Sequence, residues 1–195
     1  MKRSNLIGNL ILMGLLLFLG LQVQAQQTFK LSGVPEIKVS GTSTIHDWHM
    51  VAKDGIKGQA SVSLENNKIS GIQSLVLEVP VKSLKSGKSS MDKNAYEALV
   101  MEKFPVIRFQ LLEVNQITGD LIKAKGKLTI SGTSRDITMD VRYKLTGNTV
   151  QFTGTHPIKF TQFSLDPPTA VFNTIKTGDE LNISFNTTFS QEINP

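Results

Sequence analysis

The sequence predicts an all-β protein: one antiparallel sheet of about eight strands, with one or two short helices. Two observations carry this. First, side chains alternate with period two. Ile137, Met139, Val141, Tyr143 and Leu145 stand against Asp136, Thr138, Asp140, Arg142 and Lys144. Near the end, Leu181, Ile183, Phe185 and Phe189 stand against Asn182, Ser184, Asn186, Thr188 and Ser190. Such alternation marks pleated strands with one apolar and one wet face. Second, only residues 82–103 carry helical spacing, too little to cover the apolar face. The sheet must therefore curl onto itself or pair with a second sheet. About eight strands suit a closed barrel that either fills with side chains or holds one slim ligand. A two-sheet sandwich uses the same number, and the pattern alone leaves both open.

Taken in order, residues 1–25 are a secretory signal rather than fold. Lys2 and Arg3 form a positive start, Leu10 to Leu21 an apolar core, and Val23-Gln24-Ala25 a small-residue cleavage site. An uncleaved anchor is the competing reading, but the apolar run is short for a membrane span. Cleavage after Ala25 leaves a mature domain of residues 26–195, periplasmic or secreted. Its 170 residues suffice for one domain with a sizeable core.

Residues 28–42 carry a short strand, a break at Gly33-Val34-Pro35, and a second strand led by Ile37 and Val39. Residues 56–64 alternate with small inner residues, Gly58 and Ala60, which suggest room or a bend. Asn66-Asn67 is a turn, and 73–81 alternates again through Leu75, Leu77 and Val79. Pro80, with no donor, belongs at a strand end or edge. Lys82, Lys85, Lys88 and Lys93 then sit among Ser and Gly as a flexible basic loop. Asp92 or Ser90 caps a helix that presents Tyr96, Leu99 and Val100 and stops at Pro105. A strand resumes at Ile107, Phe109 and Leu111. Thr118-Gly119-Asp120, Gly132 and Thr146-Gly147-Asn148 are turns between successive strands. Val150 and Phe152 open a further strand, which continues from Ile158 to Phe163 after His156-Pro157. Residues 164–178 are irregular, and the strand through Leu181 to Phe189 closes the fold.

Composition excludes several functions. The chain has no Cys, so disulfides, thiolate catalysis and Cys-ligated metals are absent. Loss of Lys2 and Arg3 leaves 19 basic residues against 16 acidic, a net charge of +3. That mild excess does not make a nucleic-acid surface, and no nucleic acid is expected as a partner. His46-Asp47-Trp48-His49 holds the only Trp and two of the three His. It reads as a structural knot, as a ligand contact through Trp48 or His46, or as a metal site with His156. His46 and His49 fall on opposite faces of a strand, which argues against joint ligation, so no metal is expected. Ser43, His46 and Asp47 lie too close along one strand to form a triad. No G-x-S-x-G or H-E-x-x-H motif occurs. No catalytic residues and no enzymatic activity are expected.

Four stretches carry a family resemblance. They are Ser43-Thr44-Ile45-His46-Asp47-Trp48; Met91 to Tyr96 with Glu102-Lys103-Phe104-Pro105-Val106-Ile107-Arg108-Phe109; Gly126-Lys127-Leu128-Thr129-Ile130-Ser131-Gly132-Thr133-Ser134-Arg135-Asp136-Ile137; and Phe163-Ser164-Leu165. The third, resembling a G-x-L-T-I-x-G-x-x-R-x-V segment, is the most specific. Together they make the mature chain similar to the YceI-like family of exported polyisoprenoid- or lipid-binding barrels. Two departures stand out. The family's Asp-x-His is here Asp92-Lys93-Asn94, and in its D-F-G-I segment Gln162 and Ser164 replace Asp and Gly.

The resemblance implies a single antiparallel, eight-stranded, lipocalin-like β-barrel with a narrow apolar lumen and its helices at the mouth. It implies non-enzymatic binding, transport or sequestration of a long-chain amphiphile: a polyisoprenoid, an isoprenoid quinone or a fatty-acid-like lipid. No cofactor is expected besides that bound lipid. Candidate lumen or mouth residues are His46, Trp48, Tyr96, Phe104, Phe109 and Met139, followed by Phe152, Phe160, Phe163, Phe172 and Phe185. The phenylalanines read equally as ordinary core. Lys103 and Arg108 are head-group candidates, although alternation against Ile107 and Phe109 turns Arg108 outward. Arg135 reads as a strand-end salt-bridge partner. The basic loop is either solvated or meets an anionic head group or membrane surface. Transient membrane contact and a homodimer are compatible with the sequence. The alternative function is an envelope protein-interaction module with a filled barrel and no lipid ligand.

Overall fold

The computed structural model describes residues 26–170 and 174–192. The expected signal peptide and Phe172 lie outside these described residues. Ten strands run in chain order: β1 (Gln26–Ser43), β2 (Trp48–Ala52), β3 (Lys57–Glu65), β4 (Lys68–Pro80), β5 (Val106–Thr118), β6 (Leu121–Ile130), β7 (Thr133–Thr146), β8 (Thr149–Lys159), β9 (Thr169–Ala170) and β10 (Ile175–Gln191). One helix, α1 (Ser89–Ala98), interrupts them.

Eight of the strands close into an antiparallel barrel in the order β1-β3-β4-β5-β6-β7-β8-β10, and the β1–β10 pairing seals the ring. The sandwich is thereby excluded. Closure also removes the open edges that would otherwise template aggregation. β2 pairs with the second half of β1, Gly41 opposite Trp48 and Ile37 opposite Ala52. β3 pairs with the first half, so β2 and β3 form one stave broken at residues 53–56. The two-residue β9 pairs only with the start of β10.

Three local details differ from the sequence reading. Gly33-Val34-Pro35 does not divide two strands. It is a bulge inside β1, where the register with β10 jumps between Ser32 and Glu36. β8 runs unbroken through Pro157, which lies opposite Asn182 with its ring outward, and ends at Lys159. Residues 161–163 are a 3-10 turn rather than strand. Finally, Pro105 does not end α1. Val100 does, at φ +50°. Its N–H donates to Glu97 O, and the Met101 N–H reaches back to Tyr96 O at 2.9 Å. This is the double bond pattern of a Schellman stop.

Side chains fill the barrel unequally along its axis. At the end bearing the Asn66-Asn67, Gly119-Asp120 and Gly147-Asn148 turns, Phe29, Val62, Ile122, Val150 and Phe189 are fully buried. Each contributes roughly 1.5–3 kcal/mol by leaving water. Phe152 and Phe189 meet edge to face with centroids 5.8 Å apart. That end is a solid plug. Toward the other end, where α1 and the 43–47 turn lie, the packing opens.

Candidate functional site

The opening begins under α1. A cavity of about 350 Å³ is walled by Ile37 and Val39 of β1, Trp48 and Met50 of β2, Ile158 of β8 and Leu181 of β10. Met91 and Ala95 of α1 and Leu99 at its C-cap cover it, and Phe160 and Phe163 close the side next to β8. Polar groups are confined to the rim: Ser43, His46, Lys88, Asn94 and Lys159 among them.

A second cavity of about 130 Å³ continues inward. The two share Ile37, Val79, Ile107 and Ile183, so they are successive parts of one tube. Along β10 the lining runs from Leu181 through Ile183 and Phe185 to Phe189. Eight residue steps correspond to about 26 Å of strand. Among the described residues, the deep wall is apolar except for His156 and Thr187, and no carboxylate lines it.

Glycines keep the tube from filling. A Cβ on inward-facing Gly126 would overlap the Phe109 ring, and one on Gly154 would lie 2.6 Å from Phe185. At the mouth, a Cβ on Gly41 would stand 2.6 Å from the Trp48 ring. Each aromatic ring thus leans onto a bare stretch of backbone and hugs the wall. With ordinary side chains at those glycines, the same rings would be pushed toward the axis.

The sequence-predicted residues separate into three groups. His46, Trp48, Phe160 and Phe163 line the outer cavity. Phe109, Met139, Phe152 and Phe185 line the deep one. Tyr96, Phe104, Lys103 and Arg108 line neither. The Tyr96 hydroxyl is engaged behind the helix, within 3.0 Å of Lys82 O and 2.8 Å of Leu84 O. Phe104 covers Gly132, whose Cβ would stand 2.7 Å from that ring. Lys103 is exposed with its ammonium 5.2 Å from the centroid of the same ring. Arg108 points outward and pairs with Glu78 of the neighbouring strand at 3.0 Å. Arg135 donates to the carbonyl of Ser134 instead of forming the expected ion pair.

The 43–47 turn is knotted by Ser43. Ser43 Oγ donates to His46 O at 2.7 Å and accepts from the backbone N–H groups of Ile45 and His46. The Trp48 indole N–H donates to Thr42 O at 3.0 Å, which fixes the ring at the mouth. Among the described residues, no three His, Cys, Asp or Glu side chains gather to hold a metal.

The basic loop is anchored, not free. Val51 and Lys85 exchange two backbone hydrogen bonds, of 2.8 and 2.9 Å. Asp92 is buried, and its Oδ1 accepts 2.7 Å bonds from both Ser86 N and Ser86 Oγ. Lys85 donates to the Tyr96 hydroxyl, which holds its ammonium above the usual lysine range, with Asp92 adding to the effect. Lys88 alone of that loop's lysines reaches the rim. Lys159, also on the rim, is paired with Glu180 at 3.3 Å.

The sequence reading had Lys88 only as one lysine of the basic loop and His156 only as a partner in a metal site, and it missed Asn94 at the rim and Thr187 inside. For the inner pair the signal was parity. His156 keeps step with Phe152 and Ile158, and Thr187 with Phe185 and Phe189. Burial lowers the His156 pKa below the ordinary imidazole value.

A model of the YceI-like domain family matches residues 39–189. Several solved structures share the architecture. BcnA of Burkholderia cenocepacia superposes with a TM-score of 0.66 at 19% identity, covering 79% of this chain and 95% of that one. A polyisoprenoid-binding domain from Saccharophagus degradans gives 0.62 at 11% identity, covering 85% and 99%. A YCEI protein from Campylobacter jejuni gives 0.58 at 16% identity over the whole of both chains. At these identities the structures speak for the fold alone. No curated protein sequence matches the chain.

Proposed function

The chain belongs to the YceI-like family, and from that premise we propose that it binds a long-chain amphiphile in its barrel, as a non-enzymatic carrier or sequestering protein. The observation that carries this reading is the two-part apolar tube beneath α1. A structural relative is described as polyisoprenoid-binding, and a polyprenyl, prenylquinone or fatty-acyl tail has the shape such a tube accepts.

The physics is simple. Each CH₂-sized group of a tail gains about 0.8 kcal/mol on leaving water. The walls offer almost no polar groups that would lose hydration as the tail enters. The tail goes in under α1, past Trp48 and Leu99, toward Phe185. The polar end stays at the rim with Lys88, Asn94 and His46. Lys88 is the cation there without an acidic partner among the described residues, so an anionic head group gains most from it. Lys103 and Arg108, set away from the cavity, have no part in this.

Native mass spectrometry of the mature protein as isolated tests the proposal. A bound species that organic extraction releases as a lipid is expected, together with a rise in melting temperature when prenols or prenylquinones are added back. Protein without adducts, and with a melting temperature that no such amphiphile moves, would favour the interaction-module reading instead.

A further inference from the structure

His156 stands where an apolar tube has no structural use for an imidazole. It faces inward from β8, opposite Ile183, the residue that lines both parts of the tube. It therefore sits at the junction between the wide outer cavity and the narrow deep one. Around it the wall is hydrocarbon: Ile37, Val79, Ile107, Met139 and Ile183. Neither ring nitrogen hydrogen-bonds to another described residue. Buried side-chain polar atoms cut off from both solvent space and partners number only one among the described residues, Gln27 Oε1. The His156 nitrogens are thus open to the cavity.

A plain hydrocarbon site would be better served by Leu or Phe at this position, because an unpaired polar group beside a bound tail costs free energy. Resting on the carrier reading, we propose that His156 is a specificity residue that hydrogen-bonds an uncharged oxygen of the ligand. That oxygen, a carbonyl or hydroxyl, lies where the head group narrows into the tail. The amphiphiles of this class carry a quinone, phenol or ester at that junction. The outer cavity takes the ring or ester, the deep cavity the first part of the tail. A prenyl phosphate, with hydrocarbon directly below its charged end, leaves His156 unpaired. The imidazole is kept neutral by burial, so it presents one donor and one acceptor and serves either kind of oxygen.

The test uses two probes of one shape, decyl-benzoquinone and decylbenzene, which differ only in their oxygens. Affinities are measured for the delipidated mature protein and for His156→Leu and His156→Gln. The quantity read is the ratio of quinone to decylbenzene affinity, in which packing and tail hydration cancel. In His156→Leu this ratio should fall about tenfold, the worth of one hydrogen bond. His156→Gln, which keeps a donor and an acceptor, should retain most of it. A residue acting only by packing would shift both probes alike. An unmoved ratio, with both probes bound, overturns the role of His156 and leaves the carrier reading standing. Failure of both probes to bind any of the three proteins overturns the carrier reading and this assignment with it. Removal of an unpaired polar group should leave His156→Leu at least as heat-stable as the parent.

Discussion

At the scale of single residues, five described non-glycine residues have positive φ, and two of them, Val100 and Ser164, follow helical turns where glycine is the usual choice. Val100 ends α1 at φ +50°, and Ser164 follows the 161–163 turn at φ +57°. A β-branched residue in the left-handed region pays a steric cost of about 1–2 kcal/mol. Val100 is 45% exposed, so its side chain recovers little of that by burial. Val100→Gly should therefore raise stability by about 1 kcal/mol, and the melting temperature by about 2–4 °C. Ser164→Gly should do the same to a lesser degree, since Ser tolerates the region better. Position 164 is also where the resemblance expects glycine, and its backbone shows why. Calorimetry on the two variants and the double variant checks both values and whether they add.

Gly126 is the converse case, a glycine kept for space. Its missing Cβ is where the Phe109 ring lies. Gly126→Ala should cost about 1–3 kcal/mol by overpacking and push the ring into the deep cavity. Gly126→Ala combined with Phe109→Leu should recover most of the loss in a urea titration. Non-recovery would mean that the glycine serves the β6 backbone rather than the ring.

At the scale of elements, the cover over the mouth depends on one carboxylate. Asp92, in the first turn of α1, reaches back to both polar groups of Ser86. This pins the loop that leads into the helix, while Lys85 and Val51 pin the loop to β2. Asp92→Ala leaves the Ser86 N–H without its partner, while the hydroxyl keeps its contacts with Lys88, and should cost about 1–3 kcal/mol. Its effect should be local: faster amide exchange across residues 86–99, with the amides of β6 and β7 unchanged.

A second carboxylate ties the β8 exit to β10. The Thr161 backbone N–H, and then its hydroxyl, hold the Asp179 carboxyl below the ordinary aspartate range. Because the folded pKa is the depressed one, this contribution is complete above the unfolded value. It fades as pH falls through the folded one. The gap in melting temperature between the parent and Asp179→Asn should accordingly be widest near neutrality and close below about pH 4.

Strands such as β7 were legible because every second residue is unambiguous: Ile137 to Leu145 inside, Asp136 to Lys144 outside. The shortage of helix required sheet to cover the apolar face, and the choice of a closed barrel over a sandwich came from the family resemblance. Legibility failed where chemistry and parity disagree. His156 and Thr187 are polar by type yet inward by register, and hydropathy hides them. Pro157 looked like a strand break, but its ring faces outward, and β8 passes straight through it. Tyr96 and Phe104 are aromatic residues near the mouth in sequence. The Schellman stop at Val100 and the cover over Gly132 draw them behind the wall, a choice made by tertiary packing and invisible to periodicity.

At the scale of the whole molecule, packing is distributed unevenly along the barrel axis. One end is solid around Phe29, Val62 and Phe189, and that plug secures the fold. Toward the other end the interior opens into the tube, along which aromatic rings lie against glycines. The cavity that the proposed carrier role needs and the packed plug therefore lie at opposite ends of one barrel. Ile183 separates these properties experimentally, since it lines both parts of the tube. In a packed core, Ile183→Phe would cost about 1–3 kcal/mol through overpacking. In an open tube the added ring has space and buries apolar surface, so the urea midpoint should hold or rise. The same ring blocks passage from the outer cavity to the deep one. Affinity for a decyl-chain amphiphile should fall by at least about tenfold, close to the loss of two buried CH₂ groups. Lost stability with unchanged affinity would place the ligand elsewhere and make the barrel a filled scaffold.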